Sequence, residues 1–166
     1  DGAATTFPAI FAGFSETMAF GTPVMPAEFA TATMTYNGTG GMVGAQMDID
    51  GTTDDFRACA GDAAAATGGA GNGVRSTETL TADEWYLVRV EIGPNVNASV
   101  WVGHKGDQMD KIDTTDAVHG FSFNGAVVTP TDQQYAVLMA ENRTAAARVF
   151  EVDYFVARGS RDWRNT

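Results

Sequence analysis

Cysteine is almost missing from this chain: Cys59 stands alone among 166 residues. No intrachain disulfide is possible, which excludes a cysteine-stapled scaffold, and a lone cysteine reads first as a small buried hydrophobe. Lysine is nearly as scarce, with Lys105 and Lys111 the only two, and 10 basic side chains face 21 acidic ones for a net charge of −11. No basic cluster exists to release counterions from a polyanion, so nucleic acid and anionic membrane are excluded as partners. His104 and His119 are the only histidines, so a three-histidine zinc site cannot be assembled. No apolar run approaches the roughly 18 residues of a membrane-spanning helix. The glycine-rich run 68–73 lacks the Lys-Ser/Thr ending of a phosphate loop, and no Gly-x-Ser-x-Gly elbow occurs. The chain begins at Asp1 rather than Met, and removal of a leader, pro-segment or preceding domain is the expectation.

Hydrophobic residues make up 44% of the chain, enough for a core and too many for a disordered segment. The clearest order lies in residues 83–103. Tyr86, Val88, Val90 and Ile92 fall on one face of a strand, with Arg89 and Glu91 on the other. Ala98, Val100 and Val102 share a face of a second strand, with Ser99 and Trp101 opposite. Period-two alternation means an antiparallel pair with one side on a core. The link Gly93-Pro94-Asn95-Val96-Asn97 suits a hairpin loop.

Further strands are expected at 29–36, 42–50, 56–60, 74–80, 134–140 and 148–158, separated by Gly-, Asn- and Asp-rich turns such as Asn37-Gly38-Thr39-Gly40-Gly41. In the last strand Phe150, Val152, Tyr154 and Val156 alternate with Glu151, Asp153 and Phe155. The bulk-free stretch 63–73 reads as an exposed loop. Residues 1–28 hold Phe7, Phe11, Phe14 and Phe20 among small residues, with Pro8 and Gly13 against a helix. They read as an extended N-terminal arm, and Phe7, Phe11 and Phe14 as subunit contacts. Residues 29–158 then form the β domain and 159–166 a short tail carrying Trp163. Many short strands without a long helix predict an all-β antiparallel sandwich or barrel.

The order "WYLVRVEI", turn, "ASVWV", loop, "YAVLMAENRTAAARVFEVDYFVAR" resembles the concanavalin A-like lectin/glucanase jelly roll, in the divergent form found in bacteriophage virion proteins and some bacterial extracellular modules. The resemblance implies a β-sandwich working on a virion surface or outside a cell. It implies a capsid decoration or a fibre/tail-associated role, with other virion subunits or further copies of the chain as partners. A secreted carbohydrate-binding module is the alternative it implies. Hydrolases of that family carry two glutamates on one strand, nucleophile and acid/base, with an aspartate between. Here Glu151 and Asp153 share a face, but Phe155, Val156 and Ala157 occupy the places of the second glutamate. Retaining hydrolysis needs two carboxyls about 5–5.5 Å apart, so a non-catalytic module is expected and a hydrolase or lyase is the third reading.

Two other patterns bear on binding. Residues 48–55 place Asp48, Asp50, Asp54 and Asp55 around a Gly turn, a candidate calcium loop, since calcium takes about six to eight oxygens. The spacing is not that of an EF-hand, and a polar hairpin turn is the plainer reading, since Asp-Gly is itself a turn signal. Asp107, Asp110, Asp113 and Asp116 read as a solvated acidic face. For glycan, Trp101 is the expected stacking ring, because it opposes the core face of its strand, and Glu151 and Asp153 are the expected polar partners.

Overall fold

Alternating residues of the expected hairpin do what their period demands. In the computed structural model, Tyr86–Ile92 and Ala98–His104 pair antiparallel with Val90 opposite Val100 and Arg89 opposite Trp101. The structure describes residues 8–16, 24–30, 33–36, 40–48, 55–61, 66–67, 74–79, 81, 83–92, 98–104, 110–112, 134–142 and 149–159. Among these it contains strands and no helix, and every strand pairing is antiparallel.

The strands are β1 (Ala9–Ser15), β2 (Ala27–Ala30), β3 (Thr33–Tyr36), β4 (Met42–Met47), β5 (Asp55–Gly61), β6 (Ala66–Thr67), β7 (Val74–Thr79), β8 (Tyr86–Ile92), β9 (Ala98–His104), β10 (Asp110–Ile112) and β11 (Tyr135–Glu141). The larger sheet runs β11-β1-β4-β5-β6, with β7 also on β5 past a register shift between Asp55 and Arg57. A smaller sheet runs β10-β9-β8, and β2 pairs with β3.

The two sheets face each other across one core. Ile10, Val43, Ala45, Met47, Phe56, Ala58 and Ala60 of the larger sheet meet Ala98, Val100 and Val102 of the smaller, with Tyr86, Val88, Val90 and Ile92 at its margin. Phe56 and Tyr86 join the sheets through tilted rings, centroids 6.2 Å apart, a geometry that suits the ring quadrupoles. The opposite face of the larger sheet is buried too. Ala9, Phe11, Met42, Cys59 and Val137 pack there with Met25 and Ala27, which come from the segment leading into β2 and its first residue. With apolar groups covered on both faces, β1, β4 and β5 read as nearly continuous buried runs rather than as alternating strands.

Four expectations change. Residues 9–15 are not part of an arm: β1 pairs with β4 on one side and β11 on the other, in the interior of the larger sheet. Gly13, which weighed against a helix, sits opposite Gly44, and a Cβ at Gly13 would collide with the Val43 carbonyl. The missing side chains let the two backbones approach. The single strand expected at 29–36 is a hairpin, Phe29 opposite Met34. The stretch 63–73 contains β6, paired with Ala60 and Gly61. Residues 149–158, expected as a closing strand, pair with no strand among the described residues and are exposed throughout. The acidic positions 107, 113 and 116, along with His119 and Trp163, lie outside the described residues.

Candidate functional site

Three places carry the chemistry expected from the sequence: the outer face of β8–β9, the β4–β5 end, and residues 149–158.

On the outer face of the smaller sheet, cross-strand pairing sets Arg89 beside Trp101. The Arg89 guanidinium lies 4.9 Å from the centre of the Trp101 ring, a cation–π contact. Arg89 also donates to the Glu91 carboxylate, two residues along the same face. Leu87 completes the row at 39% exposed. Trp101 is half-buried, since the guanidinium and its sheet neighbours cover part of it. One apolar residue, one cation and one anion thus stand in line along β8, with one ring beside the cation on β9.

The described residues at the β4–β5 end form a buried polar cluster. Asp48 and Asp55 are buried, as are Gln46 and Arg57, which face each other across the pairing. Gln46 Nε2 donates to Asp48 Oδ2 at 3.5 Å, and Arg57 Nε donates to Asp55 Oδ1 at 3.4 Å. Arg57 therefore supplies Asp55 with the counter-charge that a calcium ion would otherwise bring, as a buried carboxylate requires. Asp50 and Asp54 lie outside the described residues, so the set of four carboxylates is not seen together. Among the described residues no three His, Cys, Asp or Glu side chains gather as metal ligands do.

The third place is the exposed run after β11. Val149 is 85% exposed, Tyr154 64% and Val156 59%, with Phe150, Val152 and Phe155 also exposed. Glu151 and Asp153 stand exposed on this run, which belongs to no strand among the described residues. Of the expected subunit contacts, Phe11 is fully buried beneath Met25 and Ala27, Phe14 packs half-buried on the central core, and Phe7 lies outside the described residues. Phe11 is thus core and not contact surface, because β1 carries it into the interior of a sheet covered on both faces.

Sequence reasoning missed Glu16, at the end of β1. Its backbone N–H donates to the Gly41 carbonyl at 2.9 Å, and its carboxylate accepts from Gly41 N at 2.6 Å and from Gln134 Nε2 at 3.1 Å. One side chain ties β1 to the starts of β4 and β11. Its only sequence signal is an acidic residue directly after an apolar run.

Fold and surface together define an all-β protein of two facing antiparallel sheets with an uncovered apolar run. In comparison with known proteins, no family model, no curated protein and no solved structure matches the chain.

Proposed function

We propose that the chain is a non-catalytic structural module of a phage virion surface, a capsid decoration or fibre/tail-associated protein that works by assembling with neighbouring subunits. The concanavalin-like jelly roll is the topology this reading assigns to its facing sheets, and the virion surface or another extracellular setting its location. One observation carries the reading: six large apolar side chains between Val149 and Val156 stand in solvent on a single extended run. A contiguous apolar surface of that kind marks an interface. The resemblance of residues 85–102 to virion versions of the fold supports the same conclusion. So does the sequence after Glu151 and Asp153, where Phe155, Val156 and Ala157 stand in the places of the second glutamate that a retaining hydrolase needs. Partner subunits, rather than an N-terminal arm docked on them through Phe11, supply the contact.

A carbohydrate-binding module is the second reading, favoured by Trp101 on the outer face of the smaller sheet. Light scattering and a glycan array separate the two. Assembly readings predict a mass above the 17.5 kDa of one chain and no saturable glycan signal. A 17.5 kDa species that binds a glycan saturably, and loses it on Trp101→Ala, would establish the second reading instead.

A further inference from the structure

Among the described residues, two features without a strand partner fit each other. We infer that residues 150–156 of one copy add as an antiparallel strand to β8 in a second copy, along the edge away from β9 that holds no strand among the described residues, the exchange being reciprocal. This rests on the assembly reading above and supplies its contact.

The donor has the pattern of a strand and no sheet. Phe150, Val152, Tyr154 and Val156 occupy one face, and Glu151, Asp153 and Phe155 the other, with no strand partner among the described residues. The acceptor is β8, which pairs with β9 on one side and with no described strand on the other. Its inward row is Tyr86, Val88, Val90 and Ile92, half-buried at the rim of the core, and its outward row is Leu87, Arg89 and Glu91.

Antiparallel alignment of Phe150 with Ile92 matches both rows. Val152 then faces Val90, Tyr154 faces Val88 and Val156 faces Tyr86, so every inward pair is apolar. On the outer face Phe155 meets Leu87 and Asp153 meets Arg89. Both are stabilising cross-strand pairs. Only Glu151 beside Glu91 is unfavourable, and Arg89, already bonded to Glu91, lies next to it. A parallel alignment would set Glu151 against Leu87 and Phe155 against Glu91, losing the outer row. The edge of β11 reads Tyr-Ala-Val-Leu-Met-Ala-Glu and offers no cation to Asp153, and β7, Val-Arg-Ser-Thr-Glu-Thr, has one apolar residue against the four of the donor. The acceptor is therefore β8.

Strand addition satisfies the row of N–H and C=O groups that a free edge exposes, and main-chain bonds plus alternating side chains set its register. Each copy carries one donor and one acceptor, so a two-fold dimer closes with both edges filled.

The test uses the full chain. Arg89→Cys and Asp153→Cys are made in separate chains, mixed and oxidised. Cys59 is buried and takes no part. Directly opposed residues of an antiparallel pair have Cα atoms roughly 4.5–5.5 Å apart, within the span of a disulfide. The expected result is a cross-linked dimer in the mixture, absent from either variant alone, and lost when Val152→Asp places a charge in the inward row of the donor. Val152 is exposed in the single chain, so that variant keeps its fold. If one chain carrying both cysteines forms the bond within itself on dilution, the run closes its own sheet and the exchange is overturned. Assembly that persists by light scattering without any cross-link overturns strand addition alone. A species that stays at single-chain mass throughout removes the assembly reading as well.

Discussion

Gly44 shows how little room the middle of the larger sheet leaves. A Cβ there would lie 2.7 Å from the Ala12 carbonyl oxygen and 2.7 Å from the Phe11 ring. The ring is fully buried and the carbonyl belongs to a paired strand, so neither can yield freely. Gly44→Ala is expected to destabilise the fold by about 1–3 kcal/mol, the range for overpacked cores, read by urea unfolding. Glu16 works by the opposite logic, through bonds rather than space. Removing its carboxylate in Glu16→Ala leaves Gly41 N and Gln134 without their acceptor and should cost about 1.5–3 kcal/mol in the same assay. Cys59 donates to the Gly44 carbonyl at 3.5 Å, and burial pushes its thiol far above the ordinary range. Below the free thiol's pKa both folded and unfolded chains keep the proton. Above about pH 8.5 only the unfolded chain releases it, so this residue lowers stability by up to about 1.4 kcal/mol per pH unit. Cys59→Ala should flatten that alkaline slope, and a thiol reagent should label Cys59 in the wild type only after denaturant is added.

At the scale of elements, the β8–β9 hairpin was legible because one of its faces looks outward. Arg89, Glu91 and Trp101 break the apolar rows at every second place, and register follows from that alternation. β1 was not legible for the converse reason. Ala9, Ile10 and Phe11 are all buried, so no polar residue marks a face, and Pro8 and Gly13 look like breaks when they are an entry and a point of close approach. Residues 149–158 show the limit of periodicity. Their alternation has the period of a strand, yet they join neither sheet among the described residues, because period two alone supplies no edge to pair with. The same holds for the candidate site: the outward position of Trp101 follows from its place in the alternation, but its cation, Arg89, follows only from the pairing. At the β4–β5 end, four aspartates suggested a cation, while Arg57 reaches Asp55 and Gln46 reaches Asp48, each two residues along its own chain segment. With that counter-charge built in, EDTA is expected to leave the melting temperature unchanged. A fall of several degrees on chelation, reversed by calcium, would return the ion to this end of the sheet.

For the molecule as a whole, two sheets enclose a core between them, and the larger is sealed on its far side by Met25 and Ala27. A net charge of −11 keeps copies apart in dilute solution at low salt, so any association must come from a local surface strong enough to overcome it. In the proposed assembly the exposed run from Val149 to Val156 is that surface. Hydrogen exchange of its amides, followed by mass spectrometry over a dilution series, tests this most directly. The account predicts slow exchange across residues 150–156 at high concentration, becoming fast on dilution while β4 and β5 stay protected. Fast exchange at every concentration would contradict it, and so would protection that dilution does not remove.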